Sequence, residues 1–193
     1  MTFEQHYRSM DFTQRMQFHE INVRGTYLAI ACDYERVMGD LIALFDLEVI
    51  FPNGFDSISN EEIMEGMTLY KSKKITELTM GIKLKKCKEK LEKFNKYYFD
   101  QFLNQFISIG ELVDDRNLMA HGYTHYEVEQ QEGKIFIFFE NVQHGVIKGK
   151  IIEVNTYLDK LQITHRKVIM QLARLNLSIR QDKFGHRLQL YTP

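Results

Sequence analysis

Residues 111–123, with the sequence ELVDDRNLMAHGY, contain the strongest candidates for chemistry in this chain. Arg116 and His121 are separated by a spacing that on a helix corresponds to roughly 7.5 Å along the axis. Arginine offers a permanent charge and a forked donor for phosphoryl oxygens, and histidine exchanges a proton near neutral pH. Such a pair is suited to phosphodiester chemistry without a metal. Asp114 and Asn117 would share the helix face that carries His121.

The same stretch also fits an ordinary helix end. Asp114 and Asp115 would then be solvated surface residues, and His121 would be favourable at the negative end of the helix dipole. Gly122 is the expected C-terminal cap in either case. Spacing alone leaves both interpretations open.

The segments that must position these residues are predicted to be long helices. Only Pro52 and Pro193 interrupt the chain with proline, so nothing between them forbids a long helix. Apolar residues recur at three- and four-residue steps from about Phe18 to Asp46 and predict the first one. A second helix is expected to start near Asn60, because Ser59 and Glu62 have the spacing of a capping box.

The spacing of apolar residues changes further along the chain. Residues 60–94 fit one helix or two, and helical character then continues to Gly122. Beyond it the period becomes alternating, which predicts short strands over about 123–154. Asn155 is expected to cap the last helix. We therefore predict a mainly α fold: a single domain, 1–193, in which a helical bundle carries a small antiparallel β-appendage before its last helix.

Composition narrows the class of protein. A hydrophobic content of 44%, a charged content of 26% and a net charge of −1 fit a soluble globular chain. Cys32 and Cys87 lie in apolar-periodic segments and are expected to be buried free thiols. The chain shows neither a signal-peptide layout nor an apolar run that could span a bilayer, so we expect a cytoplasmic protein without membrane association. The cysteines lack zinc-type spacing and the histidines are scattered, so no metal site is predicted.

The stretch from Arg116 to His121, RNLMAH, followed by Gly122, resembles the signature of the HEPN superfamily (higher eukaryotes and prokaryotes nucleotide-binding domain). That signature is an arginine, four to six residues and a histidine, often with asparagine directly after the arginine. The resemblance implies a helical bundle and a metal-independent, cofactor-free endoribonuclease whose site is shared by two subunits of a homodimer. A ribose 2′-hydroxyl would attack the adjacent phosphate. His121 would act as general acid or base, Arg116 would stabilise the phosphorane, and Asn117 would hold the histidine or the phosphate.

The resemblance also implies a biological setting and an alternative. Many members of the superfamily are toxins of toxin–antitoxin pairs or act in phage defence, which implies RNA as substrate and an antitoxin as a partner. The alternative is a catalytically silent HEPN-like module that binds RNA or nucleotide, or that scaffolds a partner such as a nucleotidyltransferase. A plain helical interaction protein is a third reading.

Two further sets of charged residues are candidates for supporting roles. Glu35 lies on a helical line with apolar residues and would orient Arg116 or His121, or else form a structural ion pair. A line of lysines would follow an RNA backbone, unless it is a solvated face offset by neighbouring glutamates. The lysines in question are Lys83, Lys86, Lys90 and Lys93.

Overall fold

A computed structural model describes residues 2–54, 57–129, 134–143 and 146–185. These residues form a mainly helical structure with one small antiparallel sheet, which confirms the predicted fold at that level. The elements in chain order are α1 (Phe3–Ser9), α2 (Phe12–Phe45), α3 (Leu47–Ile50), α4 (Asn60–Tyr70), a π-helical turn (Lys71–Ile75), α5 (Met80–Phe94), α6 (Lys96–His121), β1 (Tyr123–Glu129), β2 (Lys134–Gln143), β3 (Val146–Glu153) and α7 (Val154–Phe184). None of the described helices is long and apolar enough to cross a membrane.

The long helix α2 begins at Phe12, earlier than the predicted Phe18. Its start is set by a reciprocal pair of bonds, in which the Gln14 amide donates to the Asp11 carboxylate at 2.8 Å and the Asp11 amide donates to the Gln14 side chain at 3.0 Å. This is the geometry of a capping box with aspartate in place of serine. The apolar stripe therefore marked the interior of the helix and missed its polar first turn.

The predicted capping box of α4 is confirmed, because the Ser59 hydroxyl accepts from the Glu62 amide and the Glu62 side chain accepts from the Ser59 amide. The region from 60 to 94 contains two α-helices. The π-helical turn ends the first, and the second begins where Thr79 accepts a hydrogen bond from the Ile82 amide. The sequence of the π-helical turn, which contains no proline or glycine, was thus sufficient to end α4.

The sheet has the order β1-β2-β3 with antiparallel neighbours. Ile137, Phe139 and Ile152 are buried on one face, which we call the inner face. The last helix starts as predicted after the sheet, but Asn155 is not its cap. The Glu153 carboxylate instead accepts from the Asn155 amide at 3.1 Å and the Thr156 amide at 2.8 Å, since one carboxylate can satisfy two unpaired N–H groups of a first turn.

The chain divides into two compact units, each with its own buried side chains. Unit 1 comprises residues 1–31 and 114–165, and unit 2 comprises residues 32–113 and 166–193. Buried residues of unit 1 include Val23, Tyr27, Met119, Ile137 and Phe139, and those of unit 2 include Tyr34, Met38, Leu91, Phe106 and Leu172. The single-domain organisation stays a prediction.

The two cysteines differ. Both are free thiols, but only Cys87 is buried, whereas Cys32 is exposed. The predicted burial is therefore confirmed for Cys87 and wrong for Cys32. Burial raises the pKa of the Cys87 thiol, which donates to the Met38 carbonyl at 3.3 Å. Cys32 follows the buried Ala31 and lies on the outward side of α2, because neighbouring positions on a helix point about 100° apart.

Candidate active site

The predicted motif occupies the C-terminal end of α6 in unit 1, and its two principal side chains are both exposed. The separation of Arg116 and His121 rotates the chain by about 140° around the helix axis, in addition to the rise of roughly 7.5 Å. The two side chains of one copy therefore point away from each other. The backbone of Asn117 belongs to α6, but its side chain lies outside the described residues.

The two aspartates of the motif have different surroundings. Asp114 is exposed and falls about 20° from His121 around the helix. Asp115 is half-buried and forms an ion pair with Lys150 of the inner sheet face. The Lys150 amino group also lies 5.4 Å from the centre of the Tyr157 ring, so Asp115 joins α6 to the sheet and to α7.

Arg24 of α2 fixes the end of the motif helix. Its guanidinium donates to the carbonyl oxygens of Met119 and Gly122, the latter at 2.5 Å. The last carbonyls of a helix lack partners within the helix, and a cation there also opposes the negative end of the helix dipole. The guanidinium further lies 4.9 Å from the centre of the Phe139 ring. The backbone on both sides of His121 is therefore held.

Arg24 is in turn held by Glu20, one helical turn earlier, through a bond of 2.8 Å. Glu20 also accepts hydrogen bonds from the hydroxyls of Thr124 and Tyr126 in β1. Partial burial alone would raise the pKa of the Glu20 carboxyl, but hydrogen bonds from Tyr126, Arg24 and Thr124 outweigh it and lower the pKa. Glu20 is thus a charged junction between α2 and the strand that follows the motif.

Gly122 follows the helix end as expected, but close packing is what requires a glycine. Among the described residues, positive φ occurs at Gly54 and Gly185 and not at Gly122. A Cβ atom at Gly122 would lie 2.5 Å from the Leu118 carbonyl oxygen and 3.1 Å from that of Glu140. The turn from α6 into β1 passes too close to two backbone oxygens for any side chain.

Two tyrosines, Tyr27 of α2 and Tyr157 of α7, lie close enough to Asp115 for its charge to act on the pKa of each hydroxyl. Burial raises the pKa of Tyr27, and the negative charge of Asp115 adds to the shift. Burial likewise raises the pKa of Tyr157, again with a contribution from Asp115. Both hydroxyls therefore stay protonated at neutral pH.

The lysine line of α5 lies in unit 2 and is not uniform. Lys83 is only 5% exposed, and its amino group donates to Glu35 at 3.3 Å. Lys90 is bound to Asp46, which also accepts from Tyr70 at 3.0 Å. The ion pairs of these two lysines with Glu35 and Asp46 hold α5 against the preceding helices.

Lys86 and Lys93 are exposed and remain the members of the line that a phosphate backbone can approach. Together with Lys90 they border an open, polar depression of about 350 Å³. Glu35 forms an ion pair with Lys83. This is the structural ion pair that we considered as the alternative to Glu35 orienting Arg116 or His121.

Sequence reasoning missed Arg24, Glu20, Thr124 and Tyr126. The spacing of Glu20 and Arg24 signals a helical ion pair, but it says nothing of what the pair holds. Arg24 and Gly122 lie 98 positions apart, so only the fold joins them. Within the described ranges, no three histidine, cysteine, aspartate or glutamate side chains come together in a way that could bind a metal ion.

Comparison with known proteins gives no identification: no family model, curated protein or solved structure matches this chain.

Proposed function

We propose that this chain is a metal-independent endoribonuclease of HEPN type that acts as a homodimer. The observation that carries the proposal is the exposure of Arg116 and His121 on a helix end whose backbone is held by Arg24. A catalytic group must keep its position during the reaction, and side chains on a fixed helix end satisfy that requirement better than side chains on a loop. The toxin or phage-defence role belongs to the same proposal.

The proposed chemistry needs only these side chains and the RNA. The 2′-hydroxyl loses its proton to a base and attacks the adjacent phosphorus, the bond to the 5′-oxygen breaks, and that oxygen receives a proton as it leaves. The products are a 2′,3′-cyclic phosphate and a 5′-hydroxyl. His121 acts as base or acid, and Arg116 donates to the phosphoryl oxygens as negative charge builds up on them.

The divergence of Arg116 and His121 on one helix supports a site completed by a second copy. An arginine of one copy and a histidine of the other can approach the same phosphodiester from two sides. This arrangement requires a surface through which two copies associate near the motif.

The sheet face opposite Ile137 and Phe139, which we call the outer sheet face, is the proposed surface. Its apolar members are Tyr123, Phe136, Phe138, Val142, Ile147 and Ile151, which share a face through the strand register. Tyr123, Val142, Ile147 and Ile151 are 75%, 59%, 67% and 62% exposed. Their exposed apolar surface is on the order of 400–500 Å², which is within the range of the largest apolar patch on a typical monomer, and such a patch is often functional.

This area is more than half of the roughly 800 Å² that each partner contributes to a standard interface. The half-buried rings of Phe136 and Phe138 extend it. Tyr123 follows His121 after a single residue, so a second copy packed on this face would lie next to the motif. These features favour a second copy of the chain as the occupant.

The decisive test is RNA cleavage in the presence of a metal chelator. We expect the wild-type protein to cut single-stranded RNA and to leave cyclic phosphate ends, and we expect His121→Ala and Arg116→Ala to lose at least a hundredfold in rate. Glu111→Ala, an exposed change on the same helix, is the matched control and should retain activity. Cleavage that survives both motif substitutions would refute the site.

The alternative is a catalytically silent module that binds RNA or nucleotide or scaffolds a partner. The divergence of the Arg116 and His121 side chains favours this alternative if the chain is a monomer. In an isolated copy the two side chains start about 140° apart around the helix axis, which favours contacts with different groups over joint contact with one phosphate. Mixing His121→Ala with Arg116→Ala separates the two readings, because a composite site should regain part of its activity in mixed dimers. RNA binding without cleavage by any of these samples would support the silent module.

A further inference from the structure

One row of residues crosses the outer sheet face beside the motif. Tyr123 of β1 is paired directly with Glu140 of β2, which is paired in turn with Gly149 of β3. All three positions lie on the outer face, because side chains alternate along each strand. A Cβ atom at Gly122 would lie 3.1 Å from the Glu140 carbonyl oxygen. This row, which we call the Tyr123 row, therefore lies next to His121 in the fold.

Tyr123 offers an aromatic ring close to the candidate catalytic histidine. Its side chain is 75% exposed. Two residue steps separate it from His121, which is at most roughly 7 Å of extended chain. Proteins that bind single-stranded RNA hold the bases by stacking them on exposed aromatic rings. The Tyr123 ring can therefore hold the base of a nucleotide next to the scissile phosphate.

Glu140 can select which base is held. Its side chain is half-buried, and within the described ranges its carboxylate forms neither an ion pair nor a hydrogen bond with another side chain. An ionised carboxylate only accepts hydrogen bonds, and its two oxygens can accept side by side. Guanine is the RNA base whose Watson–Crick edge presents two adjacent donors, N1–H and the N2 amino group. In the other bases each donor on that edge is flanked by an acceptor. A single carboxylate therefore favours guanine.

Gly149 leaves space beside the carboxylate. It is exposed, and a Cβ atom there would meet its nearest neighbour, the Phe139 carbonyl oxygen, at an ordinary contact distance of 3.6 Å. Packing therefore does not require a glycine at this position, and its effect is an open space next to Glu140. A second copy that closed over this space would bury the carboxylate without a donor, which is costly. The Tyr123 row is thus better placed in the cleft between two copies than in a dry contact.

From this arrangement we propose that the Tyr123 row binds a guanine base of single-stranded RNA next to the scissile phosphate. The base stacks on Tyr123, and its N1–H and N2 amino groups donate to the Glu140 carboxylate. The inference rests on the proposed nuclease function, because it takes RNA as the substrate, and it adds a base preference to that function.

The test measures RNA binding by the full-length protein in the His121→Ala background, so that the RNA stays intact. The probes are the hexaribonucleotide UUGUUU and the same chain with adenosine, uridine or inosine in place of the guanosine. Inosine lacks only the N2 amino group of guanosine. In fluorescence anisotropy we expect the guanosine probe to bind at least tenfold more tightly than the adenosine and uridine probes, with the inosine probe between them.

Substitutions in the row should separate stacking from base selection. Glu140→Gln, which keeps the shape of the side chain, should remove the preference for guanosine and leave the affinity for the uridine probe unchanged. Tyr123→Ala should weaken the binding of every probe at least fivefold, whereas Tyr123→Phe should not. Two controls should change neither property: Glu127→Gln, an exposed change on the same face, and Tyr97→Ala, which removes a tyrosine that is 70% exposed.

Gly149→Val protects the test against a folding defect, because valine suits a strand. It should fill the space beside Glu140 and reduce the guanosine preference at least fivefold. Equal affinity for the guanosine and adenosine probes, a preference that survives Glu140→Gln, or no RNA binding would each overturn the proposal. So would a weaker dimer in Glu140→Gln by sedimentation, because the partner copy would then supply the donor.

The outcomes for the base site and for the nuclease can be told apart. RNA binding without base preference, together with chelator-resistant cleavage by the wild type, would refute the guanine site and leave the nuclease proposal standing. Guanine-selective binding that is lost in Glu140→Gln, without cleavage by the wild type, would support the guanine site and refute the nuclease.

Discussion

The guanidinium group of Arg24 donates a hydrogen bond of 2.5 Å to the carbonyl oxygen of Gly122, the residue that follows His121. Because Arg24 also binds the Met119 carbonyl, one side chain of α2 holds the backbone on both sides of the candidate catalytic histidine. Arg24 touches no reacting atom in the proposed mechanism. It is a positioning residue.

Substitution of Arg24 should therefore affect both stability and the proposed activity. Arg24→Ala leaves the Met119 and Gly122 carbonyls without their donor and removes the ion pair with Glu20. We therefore expect unfolding by urea to show a loss of about 2 kcal/mol. We also expect RNA cleavage to fall through kcat more than through KM. Arg8→Ala removes the exposed ion pair with Glu4, whose side chains are 77% and 72% exposed, and should cost no more than about 0.5 kcal/mol. Equal losses in the two variants would contradict the anchoring role.

Gly122→Ala should destabilise unit 1. The new Cβ atom would meet backbone oxygens at 2.5 and 3.1 Å, and relief of such a clash requires the turn to shift, at a cost of about 2 kcal/mol. Gly25→Ala is the opposite control, because no atom lies within 4 Å of its Cβ position in α2. That variant should be stabilised by about 0.5–1 kcal/mol. Thermal unfolding of Gly122→Ala and Gly25→Ala measures the change in stability of each variant relative to wild type. The two changes should have opposite signs.

The four lysines of α5 should separate into two classes. Lys83→Gln removes a buried ion pair and should lower the free energy of unfolding by about 2 kcal/mol. Lys86→Gln combined with Lys93→Gln should leave stability unchanged. If RNA follows this face, the double variant should flatten the salt dependence of RNA affinity by roughly 1.4 in logarithmic slope, at about 0.7 per lost phosphate contact.

RNA binding by the lysine variants is best measured in the His121→Ala background, so that the RNA stays intact during the titration. Lys85→Gln is the control for an exposed lysine outside the line. A slope that does not change in the Lys86 and Lys93 double variant would rule out this face as the RNA path.

His19 should make stability depend on pH. Its ring Nε2 lies 2.7 Å from the Tyr7 hydroxyl, and burial lowers its pKa below 6.5. The unfolded chain therefore binds more protons than the folded one between the lowered pKa and 6.5, so stability rises with pH in this window and is lost as pH falls below 6.5. We expect His19→Gln to lose less stability than wild type between pH 7.5 and 5.5 in urea unfolding. Parallel losses would contradict the assignment.

The outer sheet face should control self-association. Ile151→Lys places a charge on the apolar face, in the edge strand β3, and should dissociate the dimer, raising its Kd at least a hundredfold while the helical circular dichroism is retained. Ile163→Lys changes a similarly exposed isoleucine, 55% against 62%, on α7 and should leave the dimer intact. Sedimentation equilibrium measures both. An unchanged Kd for Ile151→Lys would exclude this face as the interface.

Features that depend on neighbours within a few residues could be predicted from the sequence. The capping box of Ser59 and Glu62, the change from helical to strand period after Gly122 and the burial of Cys87 were all predicted correctly. The placement of Arg116 and His121 near a helix end belongs to the same class. Hydrogen bonding within one turn and the period of apolar residues determine these features.

The tertiary structure decided which polar side chains are available for chemistry. The lysine line looked uniform along the sequence, yet Lys83 is buried because Glu35, 48 positions earlier, lies opposite it. The anchoring of the motif likewise depends on Arg24 of α2, and the exposure of Cys32 depends on which side of α2 the other helices cover. Such contacts join residues distant in the chain, so no local pattern records them. The sequence by itself placed the candidate catalytic pair on a helix, and only the fold determined what holds that helix end and leaves the pair exposed.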